Sequence, residues 1–276
     1  MEIQTILMMV LIFILLYIVV RYVMKSSAIL TSLTSGTTQQ TVSAASLDAA
    51  LGTTSTNFTY SIWFYLDDWN YQYGSEKILF ARQSSAEGTA ATSTSLGSGG
   101  EIDKGAISSI IKFPCPAVAF DATQNNIVVA VTCQGTDTIP AVAATATTAA
   151  VAARPSNPIV YNCTVTNFPI QSWVNLLVSV YGLSLDIYLN GKLVKTCVLP
   201  NIPIIDSTQP VQITPNNGFS GWTSTFQYFS NATNPQDAWN IYQEGYGASW
   251  FSNLVNQYSI KLALMAGGNE TSSISI

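Results

Sequence analysis

Residues Gln171 to Leu199 read QSWVNLLVSVYGLSLDIYLNGKLVKTCVL, and apolar side chains recur there at every second position. This period of two is typical of half-buried β-strands and predicts one strand on each side of residues 181–184. The alternating apolar residues are Val174, Leu176, Val178, Val180, Leu185, Ile187 and Leu189.

The pair Asn190-Gly191 then predicts a β-hairpin. Both residues tolerate a positive φ, as the central positions of a two-residue type I′ turn require. A hairpin with this turn places Leu189 opposite Lys192 and Asp186 opposite Lys195. The sequence therefore also predicts a charge pair across the two strands.

Three further segments show strand patterns. In NFTYSIWFYLDDW (57–69) the alternation predicts a central strand, whose inward face carries Phe58, Tyr60, Ile62, Phe64 and Leu66. PAVAFDATQNNIVVAVTC (116–133) predicts a hairpin, and a three-residue turn at 123–125 would place Cys115 opposite Cys133. VQITPNNGFSGWTSTFQYFS (211–230) predicts two strands separated by glycines.

A tryptophan that opens a strand, a short turn and a strand ending in IYLNGK resemble the central hairpins of laminin-G-like, concanavalin A-like jelly rolls. The Gly-Phe-Ser-Gly-Trp run at 218–222 resembles the same family. A short helix is also predicted, with Asn234 as its N-cap, Pro235 as its first residue and Gly245 as its stop. This helix contains Tyr242 and resembles a helix of the same family. The resemblance covers about residues 57–246 and implies an all-β antiparallel sandwich.

The composition indicates one weakly charged domain and excludes several classes of catalytic site. Of 276 residues, 48% are hydrophobic and only 9% are charged, so small and polar side chains must cover most of the surface. Such a surface suits burial in an assembly. A net charge of -5 without a Lys/Arg cluster argues against nucleic-acid binding. The chain contains no histidine, which excludes Ser-His-Asp and Cys-His catalysis and zinc sites with His ligands. We expect no enzyme activity and no cofactor.

The N-terminal segment is apolar without interruption from Ile6 to Val20. With its flanks, 3–24, it is long enough to cross a bilayer as one helix, and residues 1–25 are interpreted as a transmembrane anchor. The alternative is a signal peptide cleaved after 26–28, but MEIQT lacks the basic residues of such a leader. Arg21 and Lys25 place the C-terminal domain on the cytoplasmic side by the positive-inside rule. The predicted anchor residues include Ile6, Leu11, Phe13, Leu16 and Val20.

The remaining chain divides into a stalk and a domain. Residues 26–56 are small and polar and predict a stalk, and residues 57–276 form the sandwich. Within the domain, 84–100 and 136–158 are low-complexity insertions without a hydrophobic period and predict surface loops. The tail predicts one last strand at 258–265.

Four cysteines at separated positions favour two disulfides over a metal or redox site, because none has C-x-x-C spacing. Hairpin geometry suggests Cys115 with Cys133, which leaves Cys163 with Cys197. Three pairings are possible, and buried free thiols are the alternative. Disulfides conflict with a cytoplasmic orientation unless a viral thiol oxidase forms them.

One motif resembles a catalytic site. Glu101-Ile102-Asp103 resembles the Glu-x-Asp-x-Glu cluster of glucanases that share this fold, but Gly105 stands where their second glutamate would be. The alternative is a solvated loop edge without a catalytic function. Calcium would need more clustered oxygen ligands than Asp67 and Asp68 supply.

Two other sets of residues are candidates for interactions with glycans. Sequons predict possible glycosylation at Asn57, Asn162, Asn231 and Asn269. Tryptophans are either a sugar-stacking platform or sandwich core, and they stand at Trp63, Trp69, Trp173, Trp222, Trp239 and Trp250.

The single anchor, the Ala/Thr-rich insertions and this jelly roll also resemble proteins of large icosahedral double-stranded DNA viruses with an internal membrane, such as chlorella viruses. That resemblance implies a minor capsid protein of the virion, with its helix in the internal membrane and its domain packed against capsid proteins. The alternative is a membrane-anchored, carbohydrate-binding lectin or adhesin, and an active glucanase comes third.

Overall fold

The computed structural model describes residues 29–51, 56–86, 100–102, 111–135, 138–139, 154–155, 158–247, 261–266 and 269–275. The predicted anchor at 3–24 lies outside these residues. Within the described ranges, neither helix has the length and apolar character needed to span a bilayer.

The described elements are mostly strands. The strands are β1 (Ile29–Thr31), β2 (Thr34–Ser35), β3 (Gln40–Val42), β4 (Phe58–Asp68), β5 (Lys77–Gln83), β6 (Gly100–Ile102), β7 (Pro114–Phe120), β8 (Ile127–Cys133), β9 (Thr138–Ile139), β10 (Arg154–Pro155), β11 (Ile159–Val165), β12 (Trp173–Tyr181), β13 (Ser184–Leu189), β14 (Lys192–Val198), β15 (Val211–Ile213), β16 (Ser220–Phe229), β17 (Lys261–Ala266) and β18 (Asn269–Ser275). The helices are α1 (Ala44–Leu51) and α2 (Pro235–Glu244).

Two seven-stranded antiparallel sheets form a sandwich. The first sheet has the order β1-β16-β4-β12-β13-β14, with β2 also paired to β16. The second has the order β3-β15-β5-β7-β8-β11-β6. Two separate two-stranded pairs, β9 with β10 and β17 with β18, complete the described strands. The predicted all-β antiparallel sandwich is confirmed.

The core lies between the two sheets and follows the predicted alternation. The inward residues of β4, from Phe58 to Leu66, are at most 2% exposed. Aromatic rings cross the interior, and the Phe64 and Phe120 ring centroids lie 5.1 Å apart. The predicted alternating apolar residues of β12 and β13 face the same core. The sandwich is therefore held together mainly by apolar burial between its sheets.

The central hairpin confirms one predicted contact and corrects another. Leu189 pairs with Lys192 across the Asn190-Gly191 turn, as predicted. The Asp186–Lys195 charge pair is wrong, because an extra residue in β14 shifts the register and places Asp186 opposite Thr196. The Thr196 hydroxyl donates to Asp186 over 2.6 Å.

The hairpin of β7 and β8 has a longer turn than predicted. Phe120 pairs with Ile127, so the turn comprises residues 121–126. The Asp121 amide donates to the Asn126 carbonyl over 3.0 Å and closes this longer turn. The register therefore differs by one residue from the one that places Cys115 opposite Cys133.

The cysteines form one disulfide rather than two. Cys163 of β11 is bonded to Cys197 of β14, whereas Cys115 and Cys133 are buried free thiols. The proposed bond between Cys115 and Cys133 is thus corrected, and the shifted hairpin register is the physical reason. Burial raises the pKa of the Cys133 thiol to about 12 and also raises the pKa of Cys115.

Part of the expected stalk belongs to the sandwich. Strands β1 and β2 pair with β16 at the margin of the first sheet, and β3 pairs with β15 in the second. Leu47 of α1 is fully buried in the core. The small and polar residues of this segment gave no sign of these contacts in the sequence, because short edge strands need few apolar residues.

The insertions and the tail show paired strands where they are described. Strands β9 and β10 pair with each other inside the 136–158 insertion, and β6 at the end of the 84–100 insertion pairs with β11. The tail contains two strands rather than one, β17 and β18. Most of the rest of both insertions lies outside the described residues.

Candidate binding surface

Three neighbouring strands place aromatic rings on the outer face of the first sheet. Because Ile62, Phe64 and Leu66 of β4 point into the core, the alternate residues Trp63 and Tyr65 point outward. Trp173 and Trp222 are the residues of β12 and β16 that pair directly with Tyr65. The β4 pattern that builds the core thus also builds this outer surface.

Helix α2 adds two more rings to the same face. The Asn234 side chain caps the helix by accepting from the Asp237 amide over 2.9 Å, and Pro235 and Gly245 occupy the predicted start and stop. Ala238 and Ile241 pack the helix onto the outer side of the sheet, against Leu177 and Tyr188. Trp239 and Tyr242 then join the aromatic residues of the strands.

Tyr246 follows the helix and is fixed by its backbone. The Ser224 and Thr225 hydroxyls of β16 both donate to the Tyr246 carbonyl. These bonds hold the chain after α2 against the sheet. As a result, the Tyr246 ring lies parallel to the Trp173 ring, with 4.4 Å between centroids and 8° between planes.

Together the seven rings form a continuous series, here called the aromatic chain. Consecutive ring centroids are 5.6, 5.8, 4.4, 5.6, 5.5 and 5.4 Å apart. In this order its members are Trp222, Tyr65, Trp173, Tyr246, Trp63, Tyr242 and Trp239. Five of the six separations are within the range of favourable aromatic pairs, and the shortest, 4.4 Å, joins the parallel rings of Trp173 and Tyr246.

The exposure of the aromatic chain varies from ring to ring. Trp63 is only 5% exposed, whereas Trp222 is 43%, Tyr246 45% and Trp239 37% exposed. Large aromatic side chains rarely remain this exposed without a binding role when they cluster. The mutual packing of the rings also fixes their positions before any partner arrives.

A second apolar region, here called the apolar edge, runs along the outermost strand of the first sheet. Its members are Leu183, Leu193, Val194, Val198 and Ile202, all of them exposed. Strand β14 pairs with β13 on one side and is the last strand of the sheet among the described residues. An exposed apolar edge strand is a ready site for protein contact.

The two regions meet at the central hairpin turn. Gly191 has a φ of +73°, and a Cβ atom there would lie 3.0 Å from side-chain atoms of both Trp239 and Tyr242. The turn that begins β14 therefore lies directly against helix α2. The aromatic chain and the apolar edge are thus adjacent parts of one outer surface.

The structure separates the tryptophans that the sequence grouped together. Trp63, Trp173, Trp222 and Trp239 belong to the aromatic chain, while Trp69 packs partly buried against the core. Trp250 lies outside the described residues. Sequence reasoning missed Tyr65, Tyr242 and Tyr246, although the outward phase of β4 already singles out Tyr65 beside Trp63.

The other predicted site residues are dispersed. Among the sequons, Asn231 is exposed, Asn57 accepts from the Gly182 amide over 2.9 Å, Asn162 lies within β11, and Asn269 begins β18. Glu101 and Ile102 belong to β6, and Asp103 lies outside the described residues. No cluster of three or more His, Cys, Asp or Glu residues that could hold a metal occurs in the described part of the chain.

A separate pocket lies away from this surface, where three connecting segments meet. It has a volume of about 480 Å³. Its walls come from the residue after β4, the β7–β8 turn and the segment before β12: Trp69, Thr123, Gln124, Asn125, Asn126, Asn167 and Ile170. None of these side chains carries a charge.

Comparisons with known proteins add little to this geometry. No family model matches the chain, and no curated protein matches it. Among solved structures, it is similar to the binding domain of botulinum neurotoxin DC in complex with SialylT, with 11% identity and a TM-score of 0.41. It is also similar to the binding domain of serotype G, with 13% identity, and to that of type DC in complex with rat synaptotagmin II, with 11% identity, both with TM-scores of 0.39.

These matches are partial in both directions. Each covers 68% of this chain and only 35 or 36% of the matched chain. At such identities and TM-scores the likeness supports no functional conclusion. The functional argument therefore rests on the geometry of this chain.

Proposed function

We propose that this chain is a structural protein whose sandwich binds a neighbouring protein of a larger assembly. The observation that carries the proposal is the continuous outer surface made by the aromatic chain and the apolar edge. In its specific form, the assembly is a virion and the chain is a minor capsid protein. Residues 3–24 then hold the internal membrane, and the sandwich faces the capsid shell.

The chemistry of the outer surface supports a protein partner. Protein interfaces are enriched in Trp and Tyr, which act as binding hot spots when a partner covers them. Trp222, Tyr246 and Trp239 supply such side chains in fixed positions. Because only 9% of all residues are charged, covering this surface requires the desolvation of few ions.

The same geometry disfavours the aromatic chain as a sugar platform. A sugar stacks its apolar face on an open ring face. Trp173 and Tyr246 cover one face of each other, and Trp63 stacks on Tyr242 with 20° between their planes. One face of each of these four rings is therefore unavailable to a sugar.

The remaining parts of the proposal concern partners and chemistry. The proposed partners are the lipid bilayer and capsid proteins, not nucleic acid, because no basic cluster exists in the sequence. The proposed role requires neither catalysis nor a cofactor. Glycan binding, the alternative function, has independent support only at the separate pocket.

Substitutions at the outer surface test the proposal. Trp222→Ser and Val198→Ser remove one exposed side chain from each of its two regions, and Tyr73→Ser removes an aromatic residue that is 61% exposed elsewhere. Loss of a hot-spot residue costs about 2 kcal/mol, or roughly 30-fold in affinity. We expect fewer copies per particle for the first two variants and a normal number for Tyr73→Ser. Normal incorporation of Trp222→Ser and Val198→Ser would reject this surface as the docking site.

A further inference from the structure

The separate pocket has the composition of a site for an uncharged, polar ligand. Its lining combines one indole and one aliphatic side chain with hydroxyl and amide groups. A charged ligand would find no opposite charge among these side chains, and an apolar ligand would displace water from the polar ones without replacing its hydrogen bonds. Its volume of about 480 Å³ is within the range of ligand pockets.

The polar wall is ordered by its own hydrogen bonds. The backbone amide of Asn167 donates to Asn126 Oδ1 over 3.3 Å, and Asn126 Nδ2 donates to Gln124 Oε1 over 2.9 Å. Asn125 Nδ2 donates to the Phe168 carbonyl, whose own amide donates back to the Asn125 carbonyl. The side chains of Gln124, Asn125 and Asn126 are therefore already held in place, so that a ligand would pay little conformational entropy to meet them.

The turn below this wall is braced as well. Asp121 Oδ1 accepts from the backbone amides of Thr123 and Gln124, at 2.9 and 3.2 Å. The Asp121 carboxylate is therefore engaged in shaping the turn, and it does not line the pocket. Thr123 and Gln124 are left with exposed side chains at the pocket rim.

The indole of the apolar wall has two contacts of its own. The Lys77 ammonium lies 4.8 Å from the centre of the Trp69 ring, and Lys77 itself is fully buried. Burial lowers the pKa of Lys77. The Trp69 ring also lies 6.2 Å from the Phe168 ring, centroid to centroid. These contacts fix the orientation of the indole.

We propose that this pocket binds a neutral hexose unit of a glycan. The apolar C–H face of a pyranose ring stacks on an indole, and its hydroxyls both donate and accept hydrogen bonds, as the side-chain amides of Asn125, Asn167 and Gln124 also do. The inference does not depend on the proposed assembly role, because the pocket shares no residue with the aromatic chain or the apolar edge.

The test uses the full-length chain and a panel of neutral disaccharides: lactose, maltose, cellobiose and mannobiose. Calorimetric titration should show at least one of them binding with a Kd of about 1 mM or tighter. Sialyllactose, which adds a carboxylate, should bind no better than lactose. Absence of binding by every neutral disaccharide, or binding that requires the sialic acid, would overturn the proposal.

Variants then locate the binding site. Asn167 has a φ of +58°, which glycine adopts readily. The Asn167→Gly variant therefore removes the side-chain amide and keeps the backbone conformation. Loss of its hydrogen bonds should weaken binding about tenfold. Trp69→Ala should weaken it further, and Tyr181→Ala, at an exposed position outside the pocket lining, should leave it unchanged. Binding that survives Asn167→Gly unchanged, or that disappears in Tyr181→Ala, would contradict the assignment to this pocket.

Discussion

Arg82 is a charged residue placed almost entirely inside the sandwich. It is 3% exposed, and its guanidinium donates to the Tyr60 hydroxyl and to the carbonyls of Ser207 and Gln209, over 3.0 to 3.2 Å. Tyr60 belongs to β4, whereas Ser207 and Gln209 lie in the segment before β15. The fork of the guanidinium therefore ties the segment before β15 to the core strand β4.

We predict that Arg82→Lys destabilises the domain although it preserves the charge. A lysine ammonium cannot satisfy three acceptors in the guanidinium geometry, and it leaves a buried charge underpaired. The free energy of unfolding, measured with urea, should fall by about 2 to 4 kcal/mol. Lys192→Arg, on an exposed position of β14, is the matched control and should have little effect. An Arg82→Lys variant as stable as the parent would show that the three hydrogen bonds contribute nothing.

The buried thiols predict a loss of stability in alkali. An unfolded cysteine has a pKa of 9.0, whereas burial raises the pKa of Cys133 to about 12 and that of Cys115 as well. The unfolded chain therefore loses these protons first, so the stabilisation is complete below pH 9 and decreases as the pH rises above it. The urea concentration at the midpoint of unfolding should therefore be lower at about pH 10 than at about pH 8.

The double variant Cys115→Ala/Cys133→Ala isolates this contribution. Its absolute stability is expected to be lower because it lacks two buried sulfur atoms. Its midpoint should nevertheless depend less on pH than that of the parent over the same interval. Equal pH dependence in the two proteins would show that the thiols are not the cause.

Among the elements, β14 is the one whose position depends most on a covalent bond. It is the last described strand of the first sheet, and the Cys163–Cys197 bond joins it to β11 of the second sheet. The Lys195 ammonium adds a hydrogen bond to the Thr164 carbonyl, at 2.7 Å. The apolar edge is therefore held by both sheets.

We predict that the variant Cys163→Ala/Cys197→Ala is less stable. The bond closes a loop with a sequence separation of 34 residues, and the chain-entropy model gives about 3 to 4 kcal/mol for such a loop. Urea unfolding of parent and variant under non-reducing conditions measures the difference. Reductant should lower the midpoint of the parent and leave that of the variant unchanged. Equal stability of the two proteins before reduction would contradict this account.

At this scale, sequence patterns predicted elements better than registers. The alternation in 57–69 and 171–199 correctly identified the inward faces of β4, β12 and β13, because that alternation reflects burial directly. The capping residues Asn234, Pro235 and Gly245 correctly bounded α2. The β14 bulge and the six-residue turn at 121–126 could not be read from alternation, because both depend on local hydrogen bonds. The charge pair and one disulfide were mispredicted for this reason.

For the whole molecule, composition could not locate the aromatic chain. Only the folded sheet shows that Trp222 and Trp173 lie on either side of Tyr65. These residues are far apart in sequence, and β-pairing brings them together. The pocket likewise combines Trp69 with Asn125 and Asn167, from three separate segments. A single sequence offers no signal for such juxtapositions.

Site-specific photo-cross-linking in the assembled particle tests whether the outer surface of the first sheet docks onto the capsid shell. A photoreactive amino acid replaces Trp222 in one variant, Val198 in a second and Tyr73 in a third as the control. The account predicts that the first two cross-link to a capsid shell protein and that the Tyr73 variant does so much less. If the first two variants yield no cross-link to any shell protein, the docking claim is contradicted.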